Sequence, residues 1–278
     1  MDYQSRFRVA PGSTVDLRRI DAADTAGQSE SDARDEILAN AEKLRTLQNQ
    51  LYAENRRSLL IALQAMDAGG KDGTIGHVFA ALNPQGAYVH AFKQPTREEA
   101  AHDFLWRVHA VTPARGQVGI FNRSHYEDVL IARVHELVPE EVWSKRYDRI
   151  NEFEKTLAQN DTHILKFYLH ITPDEQLRRF KARLDDPHKQ WKISEDDYLE
   201  RAYWDDYIAA YEDALARCST EHAPWYVIPA NHKWFRNFAV SQIVVKTLEA
   251  MKTTYPPPRV DLADIRRRYH AAKEESTL

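Results

Sequence analysis

The chain is expected to fold as an α/β protein, a three-layer α/β/α sandwich around a five-stranded, mainly parallel sheet. Three observations point there. Ser58-Leu59-Leu60-Ile61-Ala62-Leu63 is a largely apolar run without polar alternation, as a strand buried on both faces requires. Four more strand-length runs follow, each separated from the next by helical segments, the order expected of a parallel sheet. No linker, internal repeat or low-complexity segment divides the 278 residues, so they are read as one domain.

The elements follow in order. Residues 1–29 are polar, carry Pro11, Gly12 and Gly27, and are expected to be irregular. Ile37, Ala41, Leu44, Leu47 and Leu51 recur at helical spacing and predict a helix over 31–55, so that 1–56 form an N-terminal extension and helix. After the first strand, a helix is expected over 72–82 and a strand over 87–92. Thr96-Arg97-Glu98-Glu99 has the capping-box pattern and is expected to open another helix. Val118-Gly119-Ile120-Phe121 is the third strand. Helices fit 127–137 and 140–160, and 163–171 is a fourth strand rich in β-formers. Thr172-Pro173-Asp174-Glu175 caps the next helix, with proline in its first turn. The charged segment 185–194 interrupts that helix, and 195–217 resumes it. Trp225-Tyr226-Val227-Ile228 is the fifth strand, and a last helix runs to about 253. Pro256-Pro257-Pro258 stops it, leaving the tail 254–278 as a surface strap.

Composition narrows the function classes. Hydrophobic residues are 43% and charged residues 29%, the balance of a globular chain. Thirty-eight Lys and Arg against 42 Asp and Glu leave a net charge of −4, which argues against a general nucleic-acid binder. A local basic track for a polyanion stays open. The lone Cys218 excludes an intrachain disulfide. Neither a signal peptide nor a membrane span is evident, so a cytoplasmic protein is expected.

Ala65-Met66-Asp67-Ala68-Gly69-Gly70-Lys71 follows the first strand and opens a helix. Glycines let backbone N–H groups approach an anion, and the helix N-terminus adds partial positive charge. Lys71 is placed to reach outer phosphates. The match to G-x-x-x-x-G-K-[ST] is imperfect: Ala65 replaces the first glycine and Asp72 the metal-binding hydroxyl residue. A turn that needs glycines only for its geometry is the plainer alternative. Asp67 and Asp72 beside bound phosphates imply an intervening cation, and Mg²⁺ suits carboxylates plus phosphate oxygens. Asp72 equally suits the first turn of a helix through the helix dipole.

The third strand leads into Phe121-Asn122-Arg123-Ser124-His125-Tyr126-Glu127-Asp128. Ligands of such sheets sit at the carboxyl ends of strands. Arg123 is a candidate for bidentate phosphate binding, and Glu127 for a further carboxylate on the metal. Ser124 as a helix cap and Glu127 in a first turn is the alternative. Between 176 and 192, Arg178, Arg179, Lys181, Arg183, Lys189 and Lys192 stand against only Asp185 and Asp186. Arg179 and Arg183 share a helical face. The cluster suits a lid over 176–200 that closes on phosphates; a solvated helix face is the alternative for any single base. The aromatic residues of 191–207 fit an oligomer interface or a core equally well.

Taken together, LQAMDAGGKDGTIGHVFAALNPQG, IFNRSHYEDVLIARVHELVP, FKARLDDPHKQWKIS and STEHAPWYVIPANHKWFRN resemble the second family of polyphosphate kinases, closest to its class III members. The likeness spans about residues 30 to 255. It implies a P-loop kinase fold with a helical lid, and Mg²⁺-dependent phosphoryl transfer from inorganic polyphosphate to ADP and AMP, making ATP and ADP. It implies catalytic roles for Asp67, Lys71 and Arg123. Phosphate binding is implied for Gly69, Gly70, Lys71, Asp72, Gly73, Arg123 and the bases Arg178, Arg179, Lys181, Arg183, Lys189 and Lys192. Nucleotide binding falls to Asp67, Asn122 and Glu127, and the metal to Asp67, Asp72 and Glu127. Many members carry Asp where this chain has Asn122, which shifts metal binding away from residue 122. Two rivals remain: a nucleotide kinase with ATP as donor, and a nucleotide-binding protein without catalysis.

Overall fold

The computed structural model describes residues 1–275. Its five strands are β1 Ser58–Gln64, β2 Ala87–Ala91, β3 Val118–Asn122, β4 Thr162–His170 and β5 Trp225–Pro229. They form one sheet in the order β2-β3-β1-β4-β5, and every pairing is parallel. The chief helices are α1 Tyr3–Phe7, α2 Glu30–Glu54, α3 Lys71–Val78, α4 Trp106–His109, α5 Ile131–Val134, α6 Glu140–Gln159, α7 Pro173–Leu184, α8 Glu195–Leu199, α9 Trp204–Cys218, α10 Lys233–Met251 and α11 Leu262–Glu275.

All seven residues of β1 are buried, as its apolar run requires of a central strand. Leu59, Ile61 and Leu63 face a core shared with Leu44 and Leu51 of α2, Val78 of α3 and the apolar face of α10. On the other face, Tyr147 and Ile150 of α6 pack with Tyr211, Ala214 and Leu215 of α9 and with Trp225 of β5. Leu60 and Ala62 of β1, Phe121 of β3 and Ile164 of β4 join Phe153 of α6 in a third cluster, so alternate side chains of the central strands serve opposite faces of the sheet, which makes the three layers.

The expected α/β/α sandwich, five strands and parallel sheet are all present. Four local expectations are corrected. The N-terminal segment is not irregular throughout: α1 buries Tyr3 and Phe7, and Arg8 bridges antiparallel to Tyr226, covering the free edge of β5. Thr96 and Glu99 do exchange both capping-box bonds, but these open only a 3-10 turn, Glu99–Ala101. The helix expected over 127–137 is a 3-10 turn, His125–Val129, followed by the short α5. There the Ser124 side chain caps the turn, and His125 and Tyr126 are committed to a buried Glu154. The tail is not a simple strap, since residues 262–275 form α11, and α10 ends at Met251 through a left-handed Lys252, before the prolines. Among the described residues, no helix is long and apolar enough to cross a membrane.

Candidate active site

The carboxyl ends of the strands converge on one trench. A cavity of about 820 Å³ runs from Ala91–Gln94 after β2, past the loop after β1 and Asn122–Arg123 after β3, to the start of α10 after β5. Asp67, Gly69, Gly70, Lys71, Asp72, Gly73, Asn122, Arg123, Arg179, Arg183, Lys189 and Lys192 all line it. The loop and the motif after β3 meet because β1 and β3 are paired neighbours, with Leu63 opposite Asn122.

The loop is built to present donors. Four consecutive carbonyl oxygens are each taken. Ala65 O accepts from Lys71 Nζ at 2.9 Å, and Met66 O accepts from the Gly69 N–H at 2.9 Å. Asp67 O accepts from Gln176 Nε2 at 2.9 Å, and Ala68 O from Arg179 Nη1 at 2.8 Å. With the carbonyls engaged, the loop's remaining capacity is for an acceptor such as phosphate. Ala68 and Gly70 adopt left-handed φ values of 58° and 108° to make the turn.

Lys71 and Arg123 lie close enough to repel each other. Burial and then the Arg123 charge hold the Lys71 ammonium below the usual lysine range, and Asp67, Glu127 and Asp72 oppose them. For Arg123, burial would lower the pKa, but the Glu127 and Asp67 carboxylates outweigh it. Arg123 sits at φ 61° and its Nη2 lies 3.3 Å from Asp67 Oδ1. Asn122 Nδ2 donates to Asp72 Oδ1 at 2.8 Å, and Lys192 Nζ stands 3.8 Å from Asp72 Oδ2, so the basic segment reaches across to the loop. Glu127 does not line the cavity, although its charge is felt by both Lys71 and Arg123.

The basic segment divides. Arg179 and Arg183, one turn apart on α7, face the trench, while Arg178 and Lys181 line no part of it. Arg178 pairs with Glu175 at 2.5 Å and Lys181 with Asp185 at 2.6 Å, both with largely exposed side chains. Arg179 is itself buried and serves the loop: besides Ala68 O it bonds Glu175 at 2.5 Å and the Ala230 carbonyl. The first part of the expected lid, 176–184, is thus a regular helix anchored to the loop.

Sequence reasoning missed the end of the trench built by α10. Arg236 is only 2% exposed, and its side-chain hydrogen bonds among the described residues go to Asn237 Oδ1 alone, with no carboxylate. Burial first, and then the Arg179 charge, lower it to about 10. Lys233 is lowered for the same two reasons in the same order. A buried guanidinium without an anionic partner is costly, and an incoming anion removes that cost. The available signal was Lys233 and Arg236 in the first turns of a helix, where the dipole disfavours cations. Lys93 and His77 also line the trench and were not singled out.

A divalent cation fits the donors present. Among the described residues, no three His, Cys, Asp or Glu side chains converge tightly enough to hold a metal unaided. Asp67 and Asp72 nevertheless both line the trench. That suits a cation held by one or two carboxylates together with substrate phosphates.

Residues 27–256 match the family model described as polyphosphate kinase 2. An AMP/ADP-polyphosphate phosphotransferase of Meiothermus ruber is 52% identical over 255 residues, covering 91% of this chain and 96% of the relative. An ADP-polyphosphate phosphotransferase of Rhodopseudomonas palustris is 46% identical, covering 90% and 91%. The crystal structure of polyphosphate kinase 2 from Arthrobacter aurescens TC1 superposes with a TM-score of 0.94 at 43% identity, covering 98% of this chain and 97% of that one.

Proposed function

This chain belongs to the polyphosphate kinase 2 family, and we propose that its trench transfers the terminal phosphoryl of inorganic polyphosphate to ADP and to AMP, yielding ATP and ADP. The observation that carries the reading is Arg236, a buried guanidinium without a carboxylate partner among the described residues, laid against a loop that has four consecutive carbonyls engaged. That pairing calls for a ligand with several negative charges. Bases line the trench from one edge of the sheet to the other, a spread that favours a chain-like polyanion: Lys93 follows β2, Lys192 reaches Asp72 beside the central β1, and Lys233 and Arg236 follow β5.

The nucleophile is a terminal phosphate oxygen of the nucleotide, already anionic near neutral pH, so no general base is required. Catalysis then rests on alignment and on neutralising charge. In this reading the loop N–H groups and Lys71 hold the transferring phosphoryl, and Arg123 spans donor and acceptor from the β3 side. Arg183, Lys189, Lys192, Lys233 and Arg236 track the rest of the donor chain. Asn122 and Glu127 are proposed to shape the nucleotide side. Asp67 and Asp72 are proposed to hold Mg²⁺, which supplies charge neutralisation between phosphate groups.

The test mixes the protein with polyphosphate, Mg²⁺ and either ADP or AMP and measures the nucleotide formed. ATP from ADP and ADP from AMP are expected, with turnover abolished by a chelator and restored by Mg²⁺. No product from polyphosphate, together with efficient transfer from ATP to another nucleotide, would sink the reading in favour of an ATP-dependent kinase.

A further inference from the structure

Of the four side-chain and backbone groups that hold the loop's carbonyls, one is tied to the far side of the basic segment. Gln176, in the first half of α7 and 3% exposed, donates Nε2 to Asp67 O at 2.9 Å. Its other amide atom, Oε1, accepts from Arg201 Nη1 at 2.7 Å. Arg201 lies on the 3-10 turn Glu200–Tyr203, which follows the basic segment and α8. The same nitrogen also reaches Pro173 O at 3.1 Å, so Arg201 grips the first turn of α7 at two points. The preceding residue, Glu200, is held by His135 Nε2 at 3.0 Å and by the Tyr207 hydroxyl at 2.9 Å.

A buried primary amide with both ends used is a polarised chain. A cation donating to Oε1 makes the N–H groups of the same amide better donors, because hydrogen bonds in series strengthen one another at low dielectric. The bond that benefits ends on the carbonyl of Asp67. Holding that carbonyl fixes the plane of the Asp67–Ala68 peptide. It therefore fixes where the Ala68 N–H points, and it constrains the residue that carries the Asp67 carboxylate. The neighbouring Ala68 carbonyl is held separately by Arg179, which makes no bond to the 200–203 turn among the described residues.

We propose that Gln176 is a positioning residue for phosphoryl transfer, one that carries the docking of Arg201 to the Asp67 carbonyl. With Arg201 seated, the loop is set for the donor; with Arg201 withdrawn, Asp67 O keeps a weaker partner and the loop loses its alignment. The basic segment between α7 and α8 and the 200–203 turn belong to one stretch of chain. In this proposal, seating the bases on a polyanion and seating Arg201 on Gln176 are coupled through that stretch. The proposal rests on the phosphoryl-transfer reading above and adds to it a route by which closure reaches the reacting end.

The test is a double-mutant cycle with Arg201→Ala, Gln176→Leu and both together, scored by kcat, by KM for polyphosphate and by thermal midpoint. Arg201→Ala is expected to lower kcat about tenfold, as a misplaced reacting group does, with KM for polyphosphate and the midpoint nearly unchanged. The double variant is expected to be no slower than Gln176→Leu alone, because both remove one chain of bonds. Arg201→Lys should recover part of the rate. Gln176→Glu guards against a folding defect, since it keeps an acceptor for Arg201 and offers no donor to Asp67 O; it should match Gln176→Leu in kcat. Multiplied losses in the double variant, or full activity of Gln176→Glu, would overturn the proposal. So would a loss that appears only in KM, or one that follows the thermal midpoint. A second readout needs no turnover: amide hydrogen exchange at residues 68–70 should speed up in Arg201→Ala, and unchanged exchange counts against the relay. If the wild-type chain makes no nucleotide from polyphosphate, the functional reading fails while the exchange measurement still decides the relay.

Discussion

Arg236 lies over Gly70 so closely that a Cβ on residue 70 would begin 1.9 Å from its Nη1 nitrogen. The absent side chain is the space the guanidinium occupies, and the φ of 108° is one that other residues rarely adopt. Gly70→Ala is therefore expected to strain the turn and displace Arg236 together. Turnover should fall by orders of magnitude, measured as nucleotide formed from polyphosphate.

Arg236→Met separates function from stability. Among the described residues the buried guanidinium has no carboxylate to offset its desolvation, so replacing it with an apolar chain of similar length should raise the thermal midpoint of the free protein. The same change should lower kcat/KM for polyphosphate about a hundredfold or more. Added sulfate or short polyphosphate should raise the midpoint of the wild type and have less effect on the variant. A variant that is both less stable and fully active would show that Arg236 is structural.

Lys71→Ala removes the ammonium that bonds Ala65 O and faces Asp67, Asp72 and Glu127. Turnover should fall by orders of magnitude while circular dichroism and the thermal midpoint stay close to wild type. Near-normal turnover would remove Lys71 from its assigned role.

Asp128 gives the chain a pH-dependent stability. Burial raises its carboxyl to about 6, against the pull of Arg146 and Arg107. The folded state thus holds this proton more tightly than the unfolded chain, whose ordinary value is 3.8. The stabilising contribution is full below about 4 and is lost as pH rises through about 6. Thermal midpoints measured from pH 4 to 8 for wild type and Asp128→Asn should converge or cross over that range, the wild type losing ground as pH rises. Parallel curves would rule Asp128 out as the cause.

Salt should act on the donor more than on the nucleotide. KM for long polyphosphate is expected to rise steeply with ionic strength, as for other polyanions whose counterions are displaced. Lys189→Ala and Lys192→Ala should each raise KM and flatten the dependence on log salt by about one ion. A slope unchanged by both substitutions would place the polyanion elsewhere in the trench.

Much of this was legible in the residues. The loop, its two aspartates and Arg123 are close in sequence to the strands that carry them, whose apolar runs already called for burial on both faces; that β1 pairs with β3 is a result of the tertiary structure. The helical phase of α7 also separated Arg179 and Arg183 from their neighbours. Arg236 was not legible, because it lies more than 160 positions beyond Gly70 and nothing in WFRN says that the arginine turns inward. The helix expected over 127–137 misled for a different reason: buried Glu154 on α6 bonds His125 and Tyr126 just ahead of it, and the chain there takes a 3-10 turn, His125–Val129, before the short α5.

The sequence by itself determined the order of strands and helices along the chain, a glycine-rich loop ending in Lys71 after the first strand, and a basic stretch near residue 180, since each is written in local spacing and turn chemistry. Tertiary structure alone decided the use of each base. Arg178 and Lys181 pair outward with nearby carboxylates, Arg179 is taken up by three carbonyls and Glu175, and Arg236 is left buried against Gly70 with no carboxylate partner among the described residues. The physical reason is that a charge is committed or left free by the partners that packing brings to it, and those partners lie on other elements of the chain.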